Sequence, residues 1–165
     1  MKIETTNLLI REIRTEDFNS LYSLLSDEEV MRYSVYGPYS LEQTKEWISF
    51  ITDHYTKKPF GMWAVIEKKT DILIGISGLM PLEDDETEYQ VGYRILPKFQ
   101  GRGYGTEAVL AIRDYAIKKD LKKFIAFIVE ENKPSIRVAE KAGMKFLRHD
   151  TYKDIPILLY EYKLI

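Results

Sequence analysis

The sequence predicts a mixed α/β fold in a single domain, and three observations carry that expectation. Short β-rich apolar runs are interleaved with stretches whose apolar residues recur at helical spacing. The 165 residues suit one ordinary domain, and 45% hydrophobic residues can fill one core. No internal repeat and no linker-like stretch divides the chain. The predicted order is strand, two helices, three strands, helix, strand, helix and two strands. That makes about six or seven strands with about four helices.

Residues 8–13 alternate weakly and read as an opening strand. Thr15 is the expected cap of the next helix, where Phe18, Leu21, Leu24 and Leu25 form one apolar stripe. Ser40 and Gln43 have the spacing of a capping box. They open a second helix through about His54, with Trp47, Ile48 and Ile51 inward, and Lys57-Lys58-Pro59 ends it. Residues 61–67 and 72–79 are β-rich and flank a turn, which predicts a hairpin. An acidic loop, 82–86, precedes a strand over 88–96 that Pro97 stops.

Residues 100–105 form a glycine-rich turn, followed by a helix over 106–119 with Ala108, Leu110 or Ala111, Ile112 and Tyr115 at helical spacing. The continuous apolar run 124–129 suits a strand buried on both faces. Residues 133–142 read as the fourth helix, closed by Gly143. Two final strands, 145–152 and 157–164, flank Asp154, Ile155 and Pro156.

Composition removes several function classes. Lys plus Arg number 24 against 26 for Asp plus Glu, a net charge of −2, so no broad basic face attracts nucleic acid. The run Lys118, Lys119, Lys122 and Lys123 reads as a solvated helix end complementing the dipole. Cysteine is absent, which excludes disulfides and thiol nucleophiles and makes a cytoplasmic setting the expectation. With only His54 and His149, metal sites and histidine-based triads are poorly supplied. No apolar run reaches membrane length and none resembles a signal peptide, so no membrane partner is expected.

The most informative segment is Gln100-Gly101-Arg102-Gly103-Tyr104-Gly105-Thr106, between a strand and a helix. Glycines permit positive φ and close approach of a ligand. The N–H groups of such a turn, with the following helix N-terminus, form a donor site for phosphate oxygens. A Walker loop would need a lysine after Gly105, and none follows. A dinucleotide fingerprint would need glycine where Thr106 stands, and an acidic residue at a strand end where Asp120 ends a helix.

Gln-x-x-Gly-x-Gly in this position resembles the pyrophosphate motif of the GCN5-related N-acetyltransferases. Asn132-Lys-Pro-Ser135 and the helix running to Lys141-Ala-Gly143 resemble that family's later motif. Tyr104-Gly-Thr-Glu-Ala108, Thr6-Asn-Leu-Leu-Ile-Arg11 and Trp63 ahead of Gly75 are similar to its RimJ/RimL-type branch, which acetylates ribosomal proteins. The resemblance spans nearly the whole chain, in the right order.

It implies a mostly antiparallel twisted sheet, with a V-shaped splay between the fourth predicted strand, 88–96, and the fifth, 124–129. It implies acetyl-CoA as cosubstrate and an amine as acceptor, with the protein a monomer or homodimer. The pantetheine arm would pair with main chain around Arg94, Ile95 and Leu96. Gln100, Gly101, Arg102, Gly103, Tyr104, Gly105 and Thr106 would grip the pyrophosphate, and Asn132 would hydrogen-bond the pantetheine. Arg102 is either a phosphate ligand or a solvated loop arginine. Ser135 is either a cofactor contact or a helix first-turn residue.

Two positions depart from the family pattern. Ala139 stands where many relatives have a tyrosine that protonates the leaving thiolate, which leaves Ser135 or a water as the local acid. Gln90 stands where many have a glutamate base. Glu88 lies two residues back on the same strand face, so it is the candidate base acting through water, or else an exposed carboxylate beside an acidic loop.

The missing base bears on the acceptor. Deprotonating a lysine amine of pKa near 10.4 costs about 4.6 kcal/mol at pH 7, whereas an α-amine near 7.8 costs about 1 kcal/mol. An N-terminal α-amine is therefore the expected acceptor. A polyamine, amino acid or aminoglycoside, or a CoA-binding module without turnover, are the alternatives. The loop of Tyr33, Tyr36 and Tyr39 and the acidic loop 83–86 are candidates for contact with the acceptor.

Overall fold

A computed structural model describes all 165 residues. Eight strands form one sheet in the order β1-β2-β3-β4-β5-β6-β8-β7. They are β1 (Lys2–Glu4), β2 (Leu8–Arg11), β3 (Met62–Glu67), β4 (Ile72–Pro81), β5 (Tyr89–Ile95), β6 (Lys123–Ile128), β7 (Lys145–Tyr152) and β8 (Ile155–Lys163). Four α-helices accompany them: α1 (Phe18–Leu25), α2 (Leu41–His54), α3 (Tyr104–Lys118) and α4 (Lys133–Lys141). The sheet has eight strands rather than six or seven because Lys2–Glu4 pairs antiparallel with β2, Lys2 opposite Arg11. Three residues are too few to show a period.

Two local expectations are corrected. Thr15 does not cap the first helix; it begins a 3₁₀ turn, Thr15–Asp17. Asp17 holds this entry instead, accepting from the Arg14 N–H at 2.8 Å and from both terminal nitrogens of Arg11. The last hairpin turns earlier than expected, on Lys153 and Asp154 at φ of 48° and 66°. Tyr152 pairs with Ile155, so these two residues form the mirror-image turn that suits a tight hairpin, and Ile155 and Pro156 join β8. The capping box on α2 is present as predicted, with Ser40 and Gln43 each bonding the other's backbone N–H.

Alternation along the central strands sends the core to both faces of the sheet. Trp63 and Val65 pack with Ala108, Val109 and Ile112 of α3 and with Ala139 of α4. Ala64 and Ile66 pack with Leu21, Leu24 and Leu25 of α1 and with Ile48 and Ile51 of α2. No helix is long and apolar enough to cross a membrane.

One feature of the topology positions the site. All neighbouring strands are antiparallel except β5 and β6, which the α3 crossover makes parallel. These two share a single register pair, Gln90 with Ile125, and separate beyond it. The predicted splay therefore opens between them.

Candidate active site

The splay leads into a cleft of about 770 Å³. One wall comes from β5, the turn after it, the start of α3, the end of β6 and α4 along its length. The other comes from the segment between α1 and α2, from Trp47 of α2, from Arg94 on the α1/α2 side of β5, and from Tyr152, Ile155 and Ile157 of the last hairpin.

The glycine turn supplies a stretch of that first wall made of free main-chain donors. Gly101 and Gly103 take φ of 76° and 81°, and no atom lies within 4 Å of where a Cβ would stand at either. The backbone N–H groups of Gly101, Arg102, Gly103, Tyr104, Gly105 and Thr106 donate to no carbonyl and no side chain. The first helical bond of α3 runs from Glu107 N–H to the Gly103 carbonyl. A continuous row of free donors at a helix N-terminus is a receptor for phosphate oxygens, and it fits a pyrophosphate. No carboxylate oxygen hydrogen-bonds into this row.

Its side chains face elsewhere. The Gln100 amide donates to the Ile95 carbonyl at 2.8 Å and ties the turn to β5. Arg102 lies 3.6 Å from buried Glu67 and rests on the Phe99 ring at 5.3 Å. Tyr104 donates to that same Glu67. Hydrogen bonds from Tyr104 and Thr70 hold the Glu67 carboxyl below its usual range, and Tyr104 is pushed up in return. Gln100 and Tyr104 thus shape the loop, and the donors left free on it are main-chain N–H groups.

At α4, the Asn132 side chain accepts from the Ser135 N–H at 3.4 Å and acts as the N-cap. The Ser135 hydroxyl lies 3.2 Å from the Tyr93 hydroxyl. Burial pushes the Tyr93 phenol up, against a smaller opposing effect of Ser135, so it stays protonated at neutral pH. Tyr93 packs against Gly105, where a Cβ would meet its ring at 2.8 Å.

The main chain around residues 94–96 is partly committed. The Leu96 N–H donates to Ile74, and the Ile95 carbonyl is taken by Gln100. Pairing with a pantetheine arm is thereby limited to the remaining groups of β5. The Arg94 side chain enters the cleft and donates to the Val30 carbonyl at 3.4 Å. Burial lowers its pKa.

Glu88 does not join these residues. It lies at the paired end of β5, outside the cleft, and forms an ion pair with Lys123 at 2.7 Å. Its neighbour Gln90 does line the cleft, and Ala139 is buried in the cofactor-side wall. His54 bonds the Phe60 carbonyl at 3.0 Å within the core. No group of three or more His, Asp or Glu side chains is arranged to hold a metal ion.

Nothing in the sequence pattern pointed to Tyr93 or to the Arg94 side chain. Their positions on opposite faces of β5 follow from strand alternation, but the elements covering each face do not.

A splayed mixed sheet with a turn of free N–H donors beneath the splay is the architecture this chain shares with acyltransferases. The model of the acetyltransferase (GNAT) domain matches residues 7–145, and the chain belongs to that family. It is an acetyltransferase. The uncharacterized N-acetyltransferase YnaD of Bacillus subtilis is 34% identical over 88% of this chain and 83% of its own length. The crystal structure of a GNAT-family acetyltransferase from Bacillus anthracis superposes with a TM-score of 0.83 at 28% identity, covering 100% of this chain and 98% of that one.

Two further structures share the fold. The ribosomal L7/L12 α-N-protein acetyltransferase RimL, in complex with coenzyme A, gives a TM-score of 0.84 at 15% identity, covering 99% of this chain and 98% of that one. A spermidine N-acetyltransferase from Vibrio cholerae, in complex with coenzyme A and spermine, gives 0.81 at 18%, covering 96% of each.

Proposed function

We propose that this acetyltransferase moves the acetyl group of acetyl-CoA directly to a primary amine, with the α-amine of a protein or peptide N-terminus as the acceptor. The observation that carries the cofactor part is the row of free N–H groups from Gly101 to Thr106. Coenzyme A in two structures of this fold supports the same reading.

In the transfer, the amine nitrogen forms a bond to the acetyl carbon as the carbon–sulfur bond breaks. The amine gives up a proton and the departing thiolate takes one. No cysteine is present to form an acetyl-enzyme, so the attack is direct. Ser135, backed by the protonated Tyr93, is the group we assign to the thiolate.

The acceptor assignment follows from what the wall lacks. Gln90 cannot serve as a base, and Glu88 is held by Lys123 outside the cleft. An acceptor must then arrive with its amine already partly neutral, which the pKa arithmetic grants to α-amines and not to lysine side chains. RimL, an α-N-protein acetyltransferase, supports this reading, and the spermine-bound neighbour supports the small-amine alternative. A cytoplasmic setting suits a cysteine-free enzyme that uses acetyl-CoA.

The test is thiol release from acetyl-CoA at pH 7 with three acceptor sets: peptides with a free α-amine and blocked lysines, Nα-blocked lysine peptides, and polyamines. We expect the first set to give the highest kcat/KM. Faster turnover of either of the others would overturn the acceptor assignment.

A further inference from the structure

One cation in the molecule lacks what all its counterparts have. Four other lysines and arginines are not exposed: Arg11, Lys58, Arg113 and Lys123. Each lies within ion-pairing distance of a carboxylate, on Asp17, Glu86, Asp114 and Glu88 respectively. Arg94 is equally withdrawn from solvent and has no carboxylate partner. Its one hydrogen bond, to the Val30 carbonyl, is long at 3.4 Å.

A guanidinium carries five N–H donors in a flat fork suited to a carboxylate, and withdrawing it from water without an anion is costly. No buried side-chain nitrogen in the protein is sealed off without a partner, so the remaining Arg94 donors keep an opening to the cleft they line.

The side of the strand matters. Along β5, Gln90, Gly92 and Arg94 stand opposite Met80, Gly78 and Ile76. Ile76 belongs to the core under α1 and α2. Arg94 therefore faces away from α3 and from the free N–H groups of the glycine turn, which excludes the pyrophosphate as its anion. Tyr93, on the opposite face, meets Gly105 and Ser135. Gly92 is two residues from Arg94, about 6–7 Å along the strand. A group on the fork would thus lie a few bond lengths from the splay.

We propose that Arg94 receives a carboxylate of the acceptor, so that the preferred substrate is an α-amine bearing a carboxylate on the same or the next residue. The inference rests on the reading of the protein as an amine acetyltransferase, and it narrows that reading to one chemical class. The carboxylate belongs either to a free amino acid or to an acidic side chain at a peptide's second residue.

The experiment is steady-state acetylation by the full-length wild type, Arg94→Met and Arg94→Lys. The acceptors are a peptide with glutamate at its second residue, its glutamine counterpart, a free amino acid, and that amino acid's carboxamide. For wild type, the carboxylate member of one pair should exceed its amide by about 10- to 100-fold in kcat/KM, and the responding pair identifies the source. Arg94→Met should bring that ratio near one, and Arg94→Lys should restore it in part. A wild-type ratio near one overturns the inference. So does an Arg94→Met protein that loses both acceptors in proportion, which would make Arg94 a strut for the Val30 segment. If Arg94→Met does not fold, the wild-type ratio and its change in Arg94→Lys decide. Absence of turnover with every amine overturns the acetyl-transfer reading and this inference with it, while a ratio near one overturns only the inference.

Discussion

The two walls of the cleft are built in opposite ways. The cofactor wall is made of main chain from one continuous stretch, Gly101 to Thr106, with Asn132 and Ser135 beside it. The acceptor wall is made of side chains from segments far apart in sequence, among them Val30, Tyr39, Trp47, Arg94 and Tyr152. A ligand common to many enzymes can be held by N–H groups that every residue possesses. The requirement then falls on backbone shape, and at φ of 76° and 81° glycine meets it without steric cost. A ligand particular to one enzyme must be chosen by side chains, and any of several surfaces would hold it.

The largest expected effect tests this contrast. Gly103→Val places a branched side chain where the phosphates would approach, and should weaken acetyl-CoA binding by about 100-fold or more. Its Cβ would meet no protein atom within 4 Å, so the main structural cost is the left-handed backbone, roughly 1–2 kcal/mol. Gly37 is the control. It has a φ of 64° and equally open surroundings, but it lies on the acceptor side, outside the cleft lining. Gly37→Val should show a similar loss of thermal stability with acetyl-CoA affinity kept within a few-fold. Equal loss of affinity in both variants would erase the distinction between the walls.

The same contrast explains what could be read from the sequence. The glycine turn and the α2 capping box were legible because each depends on residues close in the chain. Two stretches that resembled the family separately, Thr6 to Arg11 and Tyr104 to Ala108, prove to be one contact. Glu107 accepts from the Asn7 N–H at 2.8 Å and from its side-chain amide at 2.9 Å, lashing the β1–β2 connection to α3. Glu88 shows the opposite case. Alternation put it on the face of Gln90, but it stands just ahead of β5, and its fate is decided by Lys123 of β6, which sequence spacing does not reveal. Arg94 was expected to serve through its main chain, and no periodicity shows that its side chain would lie unpaired in a cleft.

An intermediate effect is expected where the walls meet. If the Ser135–Tyr93 pair delivers the proton to the thiolate, Ser135→Ala should lower kcat by about 10-fold. That is below the usual range of about 10²- to 10⁴-fold for general acids, because a thiol of pKa near 8.5 is already a good leaving group. Tyr93→Phe should lower it less, since the serine hydroxyl remains. Acetyl-CoA affinity measured by titration should change little in either variant. A kcat unchanged in Ser135→Ala would assign the proton to water instead.

The smallest effect concerns the carboxylates that anchor the two walls, Asp17 at the entry to α1 and Glu107 at the start of α3. Burial pushes both carboxyls up, but hydrogen bonds outweigh it, from Arg11 and Arg14 on Asp17 and from Asn7 and Thr5 on Glu107. Both therefore lie below their ordinary values of 3.8 and 4.5. A carboxyl depressed in the folded state adds stability that is fully present above its unfolded pKa. That stability is lost as the pH falls through the unfolded value towards the folded one. The Tm should thus be insensitive to these two groups from pH 7 to about 5 and decline below about 4.5. Asp17→Asn should lower Tm at pH 7 by about 2–6 °C, for a loss of roughly 1–2 kcal/mol. The gap to wild type should narrow below pH 4, where wild type has itself lost the charge. Because Asp17 supports only the acceptor wall, the stabilisation by saturating acetyl-CoA at pH 7 should survive the substitution. A gap that stays constant down to pH 3 would show that the Arg11–Asp17 contact contributes through shape and packing, with its charge adding nothing.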